Sequence, residues 1–181
     1  MHRRSFLGNA AVAAAGAFCL NGQVVWAETF LTVEQAQKVL WGSANTFTPS
    51  HIQLTKDEMK AIAKASKVRV RRSRLQVWRT AEKGWFIVDQ VIGKHENIDL
   101  AVAIDVNGKV KGLEVLTYRE TYGHEIRNDQ WRAQFHGKGT EADLRLNKEI
   151  RNISGATLSC RHVTDGVNRL LHTWHHVLRH L

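Results

Sequence analysis

Residues 101–116 read A-V-A-I-D-V-N-G-K-V-K-G-L-E-V-L, two apolar runs on either side of Asn107-Gly108. Both residues of that pair tolerate positive φ, so alternation about it predicts a β-hairpin closed by a tight turn. Upstream, residues 75–79 and 85–92 flank a second turn, A-E-K-G, and place Phe86, Val88 and Ile92 on one face at period two. Earlier still, T-V-E-Q (32–35) and T-K-D-E (55–58) fit the capping box, in which a hydroxyl and a side chain three residues on satisfy free N–H groups. They predict two helices, the second continued by Met59, Ile62 and Ala63 at helical spacing. The stretch F-T-P-S-H between them holds the only proline and reads as a loop. V-R-V-R-R-S-R at 68–74 leads into a strand, either as a solvated edge or as a docking patch for an anionic partner.

Downstream of the hairpin, residues 118–138 mix Gly, His, Trp and charges, which suits a site-bearing loop with a short helix better than a core strand. The last element is a helix beginning near Ser159. Val163, Val167, Leu170, Leu171, Trp174, Val177 and Leu178 form its apolar stripe. Strands in the middle and helices at both ends predict an α+β fold, an antiparallel sheet with flanking helices. Trp41, Trp78 and Trp85 belong to the sheet packing.

The chain's first 27 residues stand apart from this pattern. M-H-R-R-S-F-L-G is followed by a short Ala-rich apolar run, and Val25 and Ala27 occupy the −3 and −1 positions of a cleavage site. This predicts a secretory signal at 1–27, twin-arginine-like in its Arg3-Arg4-Ser-Phe-Leu start, and a periplasmic protein. Cleavage there leaves 154 of the 181 residues and removes two arginines and no acids, lowering the formal charge from +9 to +7. A basic exported protein favours anionic partners, such as a membrane surface, an acidic redox protein or a phosphorylated ligand, and not nucleic acid. Cys19 would leave with the signal, so Cys160 has no partner for an intrachain disulfide.

The chemistry concentrates at 152–160, N-I-S-G-A-T-L-S-C, directly before the last helix. Three readings of its hydroxyls stand open. Ser154, Thr157 or Ser159 caps the helix. Alternatively the N–H groups, approachable because Gly155 and Ala156 are small, hold a phosphate. Or one hydroxyl is a covalent attachment point. A nucleophilic serine lacks the strand-elbow G-x-S-x-G pattern, and no catalytic residue is assigned.

S-G-A-T-L-S at 154–159 resembles the motif at which FMN-binding domains carry FMN on a threonine. The resemblance extends upstream: Glu120-Thr121-Tyr122-Gly123 matches an E-T-x-G stretch, followed by Trp131, Phe135, Gly137 and Lys138. It covers roughly residues 95–178 and divides the chain into 1–27, an extension at 28–92, and an FMN-binding domain at 93–181. The resemblance implies that a separate flavin transferase, using FAD, esterifies the FMN phosphate to Thr157 Oγ. It also implies that Leu158 and Ser159 N–H groups bear the phosphate's charge, that Ser154, Gly155 and Ala156 shape the turn, and that Glu120, Thr121, Gly123, His124 and Lys138 belong to the site. Two positions depart from the family pattern. His124 replaces a residue that is more often apolar, and Arg151 stands where an acid usually precedes the serine by three. The implied function is electron transfer to or from a redox partner, a cytochrome or a membrane reductase, as an electron-transfer flavoprotein or part of an oxidoreductase system.

Rival readings are a flavin-based redox sensor or docking module without turnover, and a His-rich periplasmic metal-binding protein. The second rests on His172, His176 and His180, spaced i, i+4, i+8, with His175 and His162 nearby. No metal site is otherwise assigned.

Overall fold

The computed structural model describes residues 28–119 and 123–181; the signal expected at 1–27, and Glu120 and Thr121, lie outside the described residues. Six strands, β1 (Glu28–Thr29), β2 (Phe47–Gln53), β3 (Arg74–Thr80), β4 (Trp85–Ile92), β5 (Asn97–Ile104) and β6 (Val110–Tyr118), form one antiparallel sheet in the order β1-β6-β5-β4-β3-β2. Helices α1 (Val33–Trp41), α2 (Lys56–Ser66), α3 (Asp129–Ala133) and α4 (Thr157–His176) surround it. The architecture is the α+β arrangement that the sequence predicts. None of these helices is long and apolar enough to cross a membrane.

The capping boxes start α1 and α2 as expected. Thr32 accepts from the Gln35 N–H while Gln35 accepts from Thr32, and Thr55 and Glu58 repeat the exchange. The hairpin also forms, but only one residue of the Asn107-Gly108 pair takes the positive φ that both tolerate. Asp105 and Lys109 close it, the Lys109 N–H donating to the Asp105 side chain at 2.9 Å, and only Gly108 has positive φ, at 77°. Asp105 supplies the loop's local acceptor, so Asn107 need not enter the left-handed region. A Cβ on Gly108 would lie 2.3 Å from the Trp174 ring, so the turn abuts α4 directly.

F-T-P-S-H is a correction: it is strand β2, not loop. Pro49 pairs with Trp78 in the ladder, and β2 is the outermost strand, where a residue without an N–H costs no bond on the solvent side.

On β4, Phe86 and Val88 share a face as expected, and that face is not the one of the main core. The alternating set Phe86 and Val88 faces the smaller cluster, with Ala36 and Trp41 of α1 and Ala101, Ala103 and Leu116 of the sheet, whereas Ile92 is exposed. Trp85, Ile87 and Val91 point the other way. They join Leu100, Val102 and Ile104 of β5 and Val163, Val167, Leu170 and Leu171 of α4 in the larger core. Both faces of the central strands are buried, so β5 reads as an almost continuous apolar run and its period-two signal disappears. Ile62 carries α2 onto the same face as α4.

The last helix begins at Thr157, two residues before the expected start, and ends at His176; a 3-10 turn, Leu178–His180, follows. Its stripe is placed as expected, with Trp174 partly buried and Val177 and Leu178 buried just beyond the helix.

Candidate functional site

Ser154 and Gly155 form a turn, closed by the Ala156 N–H donating to the Ile153 carbonyl at 3.1 Å. Gly155 adopts φ 87° and has open space where a Cβ would be. The next residue, Ala156, is the N-cap and offers no side-chain bond, so none of the three hydroxyls caps α4. That leaves the first-turn N–H groups of Thr157, Leu158 and Ser159 without partners among the described residues. Free N–H groups and the positive end of a 20-residue helix dipole make this turn receptive to an anion.

The three hydroxyls then divide. Ser154 is exposed. Ser159, one of the three cap candidates, is buried instead, and its Oγ lies 3.0 Å from the Tyr118 hydroxyl at the end of β6. Thr157 sits half-buried at the first helical position, and its Oγ accepts a 2.8 Å hydrogen bond from the Asn152 side-chain amide. As an acceptor in this bond, the hydroxyl keeps its own proton free to be donated elsewhere.

Gly123 connects the upstream stretch to this turn. Its φ is 95°, and a Cβ there would stand 2.5 Å from the Tyr118 hydroxyl and 3.0 Å from Ser159 Oγ. Only glycine fits both the conformation and the space. Beyond it come a 3-10 turn, His124–Arg127, and α3, capped by Asn128 accepting from the Trp131 N–H. Two side chains of this segment clamp the chain before the turn. Trp131 Nε1 donates to the Arg151 carbonyl at 2.7 Å, and Gln134 Oε1 accepts from the Arg151 N–H at 2.8 Å. Beside the clamp opens a pocket of about 490 Å³, lined in part by Glu125, Asn128, Trp131, Arg151, Asn152 and Ile153, the last two just before the turn. That size and mixed lining suit a small organic ligand.

The structure therefore gathers Ser154 to Ser159 with Gly123. Lys138 pairs through its ammonium with Glu149 at 2.5 Å and, like Gly123 and residues 154–159, is not among the pocket's lining residues. His124 is exposed at the start of the 3-10 turn and does not line the pocket either. Sequence reading passed over Asn152, Gln134 and Glu125. Asn152 had a usable signal, an amide five residues before Thr157 in the turn itself; Gln134 and Glu125 join the site only through the fold.

Cys160 is fully buried in the core, and burial pushes its thiol up, so it supplies no thiolate beside the turn. At the far end of α4, His172 and His176 stack with centroids 6.4 Å apart, but His180 lies beyond the helix and accepts from Arg179. Among the described residues no group of three or more His, Cys, Asp or Glu is placed to hold a metal.

The turn, the anion-receptive helix start and the adjoining pocket define a site for a small phosphate-bearing ligand. Residues 93–172 match the family described as the FMN-binding domain, and the cofactor this match gives is FMN. Over 132 residues it is 29% identical to a subunit of the proton-translocating ferredoxin:NAD(+) oxidoreductase complex of Clostridium ljungdahlii, covering 64% of this chain and 69% of that one.

Proposed function

We propose that this protein is an exported, periplasmic electron-transfer flavoprotein whose FMN is esterified through its phosphate to Thr157. The observation that carries the reading is the position of Thr157 Oγ: first residue of α4, held by Asn152, which itself lines a pocket of about 490 Å³. FMN supplies one- or two-electron transfer when bound. Every other task falls to the chain. The N–H groups of Leu158 and Ser159 bear the phosphate charge, as anions at helix starts require. Gly155 leaves room for the phosphate, and Trp131 and Ile153 offer apolar surface to the ring system.

Attachment takes a flavin transferase as partner. In that step Thr157 Oγ forms a bond to the FMN phosphorus of FAD, the phosphoanhydride breaks, AMP leaves and the hydroxyl proton is lost. A covalent tether suits a protein that works outside the cytoplasm, where a dissociated cofactor diffuses away. Support for electron transfer comes from the relative, a subunit of a ferredoxin:NAD(+) oxidoreductase complex. The redox partner is accordingly a component of such a membrane-associated assembly or a cytochrome.

The test is denaturing electrophoresis of protein co-produced with a flavin transferase. Flavin fluorescence should stay with the band in the wild type and vanish in Thr157→Ala, with intact-mass measurement reporting the adduct and the cut after Ala27. A Thr157→Ala band that fluoresces as brightly as wild type overturns the linkage.

A further inference from the structure

A second recess, of about 390 Å³, lies along the middle of α4, from His162 to Thr173. Arg169, on its wall, is 12 residues after Thr157, about 18 Å along the helix at 1.5 Å per residue. The recess is a split in the sheet. Pairing of β3 with β4 stops at Gln76 and Val88, although β4 continues to pair with β5 as far as Ile92 and Asn97. From Asp89 to Ile92, β4 therefore has no ladder partner in β3. Residues 68–74, the basic stretch, swing away and form the opposite wall. Helix α4 closes the bottom, and a Cβ on Gly166 would stand 2.6 Å from Val91 Cγ1.

The charges around this split are unbalanced. Arg69, Arg71, Arg72, Arg74 and Arg169 line it, against Asp89 and Asp165. Arg169 pairs with Asp89 and also donates to the Arg69 carbonyl, which ties the two walls together. Arg72 donates to the Gln90 side chain at 2.6 Å. The guanidinium groups of Arg69, Arg71 and Arg74 have no carboxylate or carbonyl partner among the described residues, and all three are exposed. Charged side chains do guard strand edges against pairing with another chain. Guarding an edge, however, needs no recess, and here three unpaired forks surround one with an apolar floor that includes Leu54, Ile87 and Leu170. Planar guanidinium groups match phosphate oxygens two at a time.

We propose that this split is a second anion site, which takes a phosphate-bearing ligand between Arg69, Arg71 and Arg74. It is separate from the turn at Thr157 and does not depend on how FMN is attached. The phosphate belongs either to a small soluble molecule or to a lipid headgroup; in both cases the same three arginines hold it.

Calorimetric titration of the full, FMN-loaded chain with pyrophosphate, and sedimentation with phosphatidylglycerol or phosphatidylcholine vesicles, test the site at constant ionic strength. Arg69→Ala/Arg71→Ala/Arg74→Ala should bind about tenfold or more weakly. Lys38→Ala/Lys60→Ala/Lys148→Ala, with the same loss of net charge, should bind as wild type. Arg71→Gln alone should weaken binding in the same direction, and circular dichroism confirms that each variant is folded. Saturable pyrophosphate binding with this pattern supports the site and a soluble source. Binding only to phosphatidylglycerol vesicles, with the same pattern, supports the site and a headgroup source. No binding in either assay, or equal weakening by the arginine and lysine triples, overturns the proposal.

Discussion

The start and the middle of α4 deal with charge in opposite ways. At its start, the turn is held by neutral hydrogen bonds: Trp131 and Gln134 on the Arg151 backbone, Asn152 on Thr157, Tyr118 with Ser159. The positive potential there comes from backbone N–H groups. Twelve residues on, the wall of the helix is held by an ion pair, Arg169 with Asp89, and the positive potential comes from side chains. Backbone donors are fixed in place and cost no side-chain ordering, so they suit a permanently held cofactor. Exposed arginines must be ordered by whatever they bind, which suits an exchangeable ligand.

Four substitutions break or sharpen this contrast. The largest effect is expected at the start. Gly123→Ala forces a side chain into φ 95° and against Tyr118 and Ser159, and should lower the unfolding free energy by about 3 kcal/mol. An unchanged denaturant midpoint would show that the Tyr118–Ser159 contact is not rigid.

In the middle of the helix, Arg169→Met leaves Asp89 without its cation. The side chains are 12% and 21% exposed, so the cost should fall below that of a fully buried pair, roughly 2 kcal/mol. The double variant Arg169→Met/Asp89→Leu should recover most of it, because both charges are then gone. If the double variant is as unstable as the single, the pair is not what joins these walls.

Smaller again is Trp131→Phe. It keeps most of the ring packing against Phe135 and removes only the bond to the Arg151 carbonyl, a loss of about 1 kcal/mol in urea denaturation. A midpoint equal to wild type would mean that Gln134 alone holds the segment.

The smallest effect, and the only gain, is expected from Asp165→Asn. Burial raises the Asp165 pKa above the ordinary aspartate value of 3.8, with opposing attraction from His162, Arg161 and Arg169. The folded state thus binds its proton more tightly than the unfolded state does. Ionisation therefore opposes folding at neutral pH, and that opposition fades as pH falls through the folded pKa towards 3.8. The asparagine variant should be slightly more stable than wild type near pH 7, with the difference closing in acid. A difference that widens on acidification would mean that the carboxylate is stabilised in the fold.

The fold was legible wherever its cause is local. Capping boxes act over three residues, and T-V-E-Q and T-K-D-E each start a helix. Where two faces of a strand are buried, as on β4, alternation reports only one of them, because it marks a single covered face and here helices cover both. Pro49 misled for a related reason: proline opposes a central strand, and only the sheet order reveals that β2 is at the edge.

By itself the sequence determined that a small-residue turn with a threonine precedes an amphipathic helix, since turn and helix are set by neighbours along the chain. Tertiary structure decided the rest. Ser159 meets Tyr118 across 41 residues, Trp131 reaches the Arg151 carbonyl across 20, and the split between β3 and β4 exists only because two ladders end at different rungs. Such contacts depend on how strands register and where helices lie, and no window of neighbouring residues encodes either.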